Sequence, residues 1–428
     1  MKVLPKNWTK ISLENLFNLV YGKGISTKDL IDNANNKEVL YNVYGANGII
    51  GKYNKYTYKN SKVIISCRGA ASGTIHKTLP FSFISSNSIV LDEIDEKLIN
   101  LNFIKYVMTY IDKSEVITGT AQPQITIQLL KFLEIPLPPL QEQKRIAAKL
   151  DALFAQHEAM KKALEDIPQL LKNFRQQVLT LAIMGKLTEE WRKTKVLKNW
   201  RKTTLKELIV KIDAGKSFEC PNIAVSEGQV GLVKISAVTW GFFNENETKT
   251  VFDPNRVNEK IFIKSGDFLI SRANTLELVG APVIVESINH KIMLSDKIWR
   301  VNFVNSILKK FIKIYLLSKK GRSEIEMRSS GNQLSMRNIS QENFKSIPIN
   351  LPSDDEQQEI VSRVESLFVK ADIIEKRYQI LKEKIDSLPQ AILHKAFKGE
   401  LVPQLPTDGD AKDLLEEILK LKKEVKKK

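Results

Sequence analysis

Arginine, lysine, asparagine and glutamine recur in this chain inside short turn-rich segments that follow strand-like runs. Ser66-Cys67-Arg68-Gly69-Ala70 succeeds one such run, and Ser271-Arg272-Ala273-Asn274 succeeds another at the corresponding place in the second half. Two polar loops, Thr118-Gly119-Thr120-Ala121-Gln122-Pro123-Gln124 and Arg328-Ser329-Ser330-Gly331-Asn332-Gln333, precede proline-containing segments. Arg and Lys offer paired hydrogen bonds to a guanine edge, and Asn and Gln to an adenine edge, so these side chains suit recognition of bases in a major groove. The candidates are Lys52, Lys55, Arg68, Gln122 and Gln124 in the first half, and Lys216, Arg272, Asn274, Lys297, Arg328, Asn332 and Gln333 in the second. Any one of them alone is what a solvated loop carries. The matched recurrence of Arg68 with Arg272, and of the polar loops, selects them.

Reaction chemistry has no comparable footing. Ala214-Gly215-Lys216-Ser217 has the tail of a phosphate-binding loop, but Val210 stands where its leading glycine is required. Gly45, Gly48 and Gly51 are spaced for hairpin turns, not for a dinucleotide fingerprint. No Asn-Pro-Pro-aromatic or Asp-Pro-Pro-aromatic tetrapeptide, GxSxG or HExxH occurs. Cys67 and Cys220 are too few for a disulfide scaffold or a thiolate zinc site, and His76, His157, His290 and His394 are too dispersed for a ligand pair. No catalytic residue and no metal ligand is assigned.

Composition points the same way. A chain of 428 residues exceeds one ordinary core, so two or more domains are expected. Hydrophobic residues at 43% exclude wholesale disorder. Lys plus Arg number 66 against 49 Asp plus Glu, and the net charge of +17 favours a polyanion, nucleic acid before membrane surface. Met1–Lys6 carries no apolar signal region, and no apolar run reaches the roughly 18 residues of a membrane span, so a cytoplasmic protein is expected.

The elements that must position these side chains come in duplicate. Displacing the chain by 214 residues lays 135–187 on 349–401 without a gap, with 14 identities in 53 pairs. Random pairing would give about three. A second repeat, Asn7-Trp8 with Leu13 and Leu16 against Asn199-Trp200 with Leu205 and Leu208, opens each half at an offset of 192. The chain thus reads A-B-A′-B′. In the first B segment Ile146, Leu150, Leu153, Met160, Leu164 and Leu171 mark a seam, with His157 at one of its positions; in the second Ile360, Val364, Leu367, Ile374, Leu381 and Ile385 do. Steps alternating four and three over five heptads predict coiled-coil helices, which most simply pair antiparallel with each other about a two-fold axis. Pro168 predicts a kink in the first helix. Acidic or amide residues fill each first turn, and Gly185 and Gly399 suit the C-caps.

Residues 10–134 and 203–347 hold short β-branched and aromatic runs such as Lys62–Ser66, Ser88–Leu91, Asp267–Ser271 and Lys297–Val301, with helical stretches at Leu101–Tyr110 and Leu308–Ser318. Each is read as one mixed α/β domain, so the fold class is α+β with a pseudo-two-fold internal repeat. The divisions are 1–140 and 188–353 for the mixed domains, 141–187 and 354–401 for the long helices, and 402–428 for a helical, basic tail whose end, Lys420–Lys428, reads as frayed.

With these features in hand, the sequence resembles the specificity subunits of type I restriction–modification systems. The resemblance rests on Pro136–Gln143 and its degenerate second copy through Gln357, on the helix endings Leu179–Leu187 and Leu393–Leu401, and on the Asn-Trp elements. It covers essentially the whole chain. Asn350, Ser353 and Asp354 depart from Pro136, Pro139 and Leu140. The resemblance implies two target-recognition domains, each reading one half of a bipartite, asymmetric duplex DNA site. Two long antiparallel helices would space them and dock two methyltransferase subunits. It further implies no cofactor in this chain: S-adenosylmethionine would bind the methyltransferase subunits, and ATP and magnesium would serve the restriction subunits. A coiled-coil scaffold without DNA specificity and a stand-alone DNA-modifying enzyme are the alternatives.

Overall fold

The strand-forming runs of the first half pair in an order the sequence does not announce. Val63–Ser66 lies between Ser88–Glu93 and Ile75–Lys77, and Phe17–Tyr21 adds beyond Ser88–Glu93, giving a four-stranded antiparallel sheet. Val63–Ser66 is buried along its whole length, as fits a β-branched run covered on both faces. Tyr41–Gly45 and Gly48–Tyr53 form a hairpin to which Phe83–Ile84 adds in parallel. Asn100 caps helix Leu101–Tyr110 by accepting from the Phe103 amide at 2.9 Å. Thr9–Ser12 pairs with Glu134–Leu137, so the domain's first and last strands meet where the chain enters the long helix.

The second half repeats this topology although its sequence differs. Phe268–Ser271 lies between Ile298–Phe303 and Pro282–Ile284, with Ile209–Ala214 at the edge. Val230–Val233 pairs antiparallel with Thr248–Val251 and parallel with Lys291–Met293. Helix Leu308–Leu317 follows, and Arg201–Thr204 pairs with Pro348–Leu351. The computed structural model describes residues 4–31, 39–93, 95, 97–196, 198–239, 241–333 and 336–427, apart from the side chains of 332–333 and 425–427. Both thiols are free, Cys67 buried and Cys220 half-buried.

Two compact units divide the chain, 1–165 with 380–428 and 166–379. Each therefore holds one mixed domain and a share of both long helices, a partition that cuts across the sequence-based division between domains and helices. In the first unit Ile146, Ala147 and Leu150 share a core with Leu393, Ala396 and Phe397 and with Phe103, Ile104 and Val107 of the mixed domain. Further along, His157 Nε2 meets the Ile385 carbonyl oxygen at 3.0 Å. In the second unit Val178, Leu179 and Ala182 bury with Ile360, Val361 and Val364 and with Phe311, Ile312 and Tyr315. There Arg175 donates to Asp372 at 2.6 Å and Glu375 at 2.8 Å. Numbers rise on one helix as they fall on the other, so the pairing within each unit is antiparallel.

Three expectations need correction. The first long helix, expected over 141–187, is two helices, Leu140–Glu165 and Ile167–Ile183, interrupted at Asp166. Pro168 takes a first-turn position of the second, where its missing N–H costs nothing, so the kink becomes a break. The second runs unbroken over Asp354–Phe397. The seam is not continuous either. Ile146, Leu150, Leu171, Ile360, Val364 and Ile385 are buried, and Leu153, Leu164 and Leu367 are half-buried, but Met160, Ile374 and Leu381 are 41%, 50% and 46% exposed. Two helices cover only a narrow stripe on each other, and Ile146, Leu150, Ile360 and Val364 are buried where a mixed domain joins the core. Finally, the basic end is not frayed: helix Ala411–Lys427 buries Leu414 and Ile418 in the first unit's core, and the Lys422 ammonium donates to the Glu14 carbonyl.

The Glu-Gln pair at each helix start fixes the beginning of its own unit. Gln143 Nε2 donates back to the Pro138 carbonyl at 2.9 Å and Gln357 Nε2 to the Pro352 carbonyl at 3.0 Å, which closes the proline turn. Glu356 is fully buried and accepts from Trp200 Nε1 at 2.9 Å, Thr188 Oγ1 at 2.8 Å and Arg192 Nη1 at 3.3 Å. Glu142, equally buried, accepts from Asn7 Nδ2 at 3.1 Å and has the Trp8 indole beside it. Burial pushes the Glu142 carboxyl above its ordinary range. Its neighbour Arg145 turns instead to Asp408, bidentate at 2.6 and 2.7 Å, and holds that carboxyl below its ordinary range. Gly185 and Gly399 cap their helices with φ of 70° and 74°.

Candidate nucleic-acid interface

In the first unit five turns converge at one end of the sheets. The Arg68 backbone bridges Gln124, while the Gly69 amide donates to the Pro123 carbonyl at 2.9 Å and the Ile125 amide to that of Cys67 at 3.0 Å. This laces the Gln122–Gln124 loop to the segment after the central strand. The Cys67 amide donates to the Asn87 carbonyl at 2.9 Å, and the Ser86 amide to that of Lys23 at 3.0 Å, adding the turns at 85–88 and 22–24. The hairpin tip Gly45–Gly48 joins them through Ser88 Oγ, which donates to the Gly45 carbonyl at 3.3 Å. Lys23, Asn47, Arg68, Asn87, Gln122 and Gln124 are all exposed there, and their side chains make no hydrogen bond among the described residues. Lys52 and Lys55 are exposed but belong to the opposite end of the hairpin, where Lys52 faces Asn42 and Tyr53 faces Tyr41.

In the second unit the Arg272 amide donates to the Lys297 carbonyl at 2.8 Å, and the Gly215 amide to that of Ser295 at 3.1 Å. Ala273 and Asn274 pair with Asn338 and Arg337 of a further hairpin strand, Met336–Asn338. Lys216, Arg272, Asn274 and Lys297 thus lie on adjoining segments. Lys216 and Lys297 are exposed. Arg272 is half-buried and reaches the Asp296 carbonyl at 3.4 Å, and Asn274 spends its carbonyl on the Thr275 amide at 2.8 Å. Asn332 and Gln333 lie on strand Ser330–Gln333, and their side chains fall outside the described residues.

Arg328 is a correction. Its guanidinium donates to Glu324 at 2.5 Å and Ser346 Oγ at 3.1 Å, so it finishes helix Lys319–Arg328 and holds the next loop instead of facing outward. Sequence reasoning did not single out Lys23, Asn87 or Arg337. Arg337 donates to the Ser329 and Gly331 carbonyls at 2.7 Å and shapes the hairpin. The Ser85–Ser88 turn signal marks Asn87; nothing in the sequence marks Lys23 or Arg337.

Buried charges lie within the sheets, away from these turns. Lys62 Nζ is 2.8 Å from both Asp92 and Glu93, and Arg300 contacts Asp213 at 3.1 Å and Asp267 at 3.3 Å. Burial pushes the Glu93 carboxyl up; around Asp213 burial is outweighed by Lys211, Asn302 and Arg300, which hold its carboxyl down. Both sets brace strands. Among the described residues no cluster of His, Cys, Asp and Glu suits a metal ion, and no helix is long and apolar enough to cross a membrane.

Comparison with known proteins fits this arrangement. The model of the type I restriction modification DNA specificity domain matches twice, over 5–169 and 198–383. The chain is 36% identical over 278 residues to the EcoKI specificity subunit of Escherichia coli, a match covering 64% of this chain and 59% of that relative's length. It is 34% identical over 322 residues to the StySPI specificity subunit of Salmonella potsdam, covering 72% and 67%. The fold matches the HsdS subunit of Thermoanaerobacter tengcongensis at a TM-score of 0.60 and 18% identity, over 93% of this chain and 98% of that one. A chain from a solved type I restriction–modification assembly matches at 0.64 and 18%, over 94% and 100%.

Proposed function

The chain belongs to the type I restriction–modification DNA specificity family, and on that premise we propose that it is the subunit that reads the DNA site for a methyltransferase and a restriction enzyme. Each mixed domain reads one half of a bipartite site. The two domains share a topology but present different side chains, Arg68 with Gln122 and Gln124 in one, Lys216 with Arg272 and Lys297 in the other, so the two halves differ and the site is asymmetric. The observation that carries this reading is the convergence at one sheet end of exposed Arg68, Asn87, Gln122 and Gln124 in the first unit and of exposed Lys216 and Lys297 beside Arg272 in the second, side chains suited to base edges. The excess positive charge supplies phosphate contacts, which orient the domains without choosing a sequence.

The long helices set the number of unread base pairs and dock two methyltransferase subunits. Met160, Ile380 and Leu381 in the first unit, and Leu170, Ile373 and Ile374 in the second, leave apolar side chains exposed along the long helices, which supports docking there. The chain itself is non-catalytic. S-adenosylmethionine and adenine-N6 methylation belong to the methyltransferase subunits, and ATP, magnesium and cleavage to the restriction subunits.

The test is to co-express the chain with the modification subunit of its system and map methylated adenines genome-wide, before and after exchanging residues 10–134 for those of a relative. One half-site should change and the other persist. A change in both halves overturns independent readout, and methylation by the purified chain alone overturns the non-catalytic role.

A further inference from the structure

We infer that Asn47 is an adenine-reading side chain of the first domain, held at a hairpin tip whose backbone is fixed from behind; this rests on the DNA-reading role above. The hairpin Tyr41–Gly45 to Gly48–Tyr53 turns through Ala46 and Asn47. Three successive carbonyls leading into that turn are each held by a donor from another segment. The Ser85 amide donates to the Tyr44 carbonyl at 2.9 Å, Ser88 Oγ to that of Gly45 at 3.3 Å, and Ser66 Oγ to that of Ala46.

Ser66 and Ser88 are wholly buried and face each other in register on adjacent strands of the four-stranded sheet. A buried hydroxyl without a hydrogen bond is costly, and apolar residues fill the remainder of the Val63–Ser66 strand. Both hydroxyls are directed to the hairpin tip. Gly48 then takes φ of 92°, a conformation that side chains other than glycine seldom adopt, and the strand returns.

Asn47 is exposed, and its amide makes no hydrogen bond among the described residues. Asparagine in a turn commonly accepts from a backbone N–H two residues on; the Asn47 side chain makes no such bond, and its amide is left over. A two-stranded ribbon fits the major groove, and an asparagine amide there makes two bonds to the N6 and N7 of adenine. Arg68, Asn87 and Gln124 on the neighbouring turns complete a reading surface. Among the described residues the second domain has no such tight turn: Val230–Val233 and Thr248–Val251 are joined through a longer connection that includes the short helix Ile235–Val238. Asn47 therefore governs one position of one half-site.

The test is selection from a randomised duplex library by the full chain assembled with its modification subunits, followed by titration with the selected site and with random duplex. Asn47→Ala should make one adenine position in one half-site degenerate and weaken binding to the selected site about 10- to 100-fold, with random-duplex binding and melting temperature unchanged. Ser66→Ala should relax the same position more mildly, the mark of a positioning residue. An unchanged selected sequence, equal losses on random duplex, or a degenerate position that is not adenine overturns the assignment. A wild-type assembly that selects no sequence at all overturns the DNA-reading role itself, which separates the two failures.

Discussion

The same Glu-Gln motif opens both long helices, yet its glutamates live differently. Glu356 accepts from Trp200, Thr188 and Arg192, whereas around Glu142 stand the Asn7 and Trp8 side chains, and its carboxyl is pushed up by burial. Thr188 and Arg192 lie on the stretch that joins helix Ile167–Ile183 to the second mixed domain. At the corresponding place in the first unit stands the far end of the chain, held by the Arg145–Asp408 pair, by the Ala411 amide donating to the Asn7 carbonyl at 3.1 Å, and by the apolar face of Ala411–Lys427. One copy of the motif is closed by covalent continuity, the other by docking.

The largest expected consequence separates the two glutamates. Glu356→Ala should cost the second unit about 3 to 5 kcal/mol by leaving Arg192 and Trp200 without their buried acceptor, and Glu142→Ala should cost the first about 1 to 2 kcal/mol. Urea unfolding followed by tryptophan fluorescence measures both, and equal losses would remove the distinction. Next comes the docked end: Ile418→Ala should destabilise the first unit by about 2 kcal/mol and leave the second unmoved, read by hydrogen exchange in each unit.

On the DNA side, Arg68→Ala should weaken binding to the selected site by about 1 to 3 kcal/mol, while Arg328→Ala should alter stability and not site preference. Equal losses of Arg68→Ala on specific and random DNA would make Arg68 a phosphate contact.

The smallest effect is a pH dependence within the first unit. The Asp408 carboxyl lies below its ordinary range, so the Arg145 pair contributes its stability above that range and loses it as pH falls through the lowered value. Glu142 has the opposite sign, since a raised carboxyl is favoured in the fold when protonated. Asp408→Asn should remove the first component alone, so that the first unit loses less stability on acidification than the unaltered chain does, read by hydrogen exchange across pH.

How much of this was legible follows from what each pattern encodes. The repeat, the two helices and strands such as Val63–Ser66 and Phe268–Ser271 were readable, because identity at a fixed offset and apolar periodicity are local properties. The shared topology of the two mixed domains was not, since strand order depends on contacts between distant segments. The seam was overread at Met160, Ile374 and Leu381, because a heptad shows which side chains line up and not whether a third surface covers them. Arg328 has the right type and loop for base contact, but Glu324 one turn away holds it. Asn47 lay within a turn the sequence marked, and the two serines that fix that turn are distant in sequence.

The placement of the two thiols gives an experimental handle. Cys67 is buried and its thiol is pushed up by that burial, whereas Cys220 is only half-covered. A maleimide dye applied to the native chain should therefore tag the second unit alone, without any engineered site, and its fluorescence would report when that half engages a duplex while the other half stays dark.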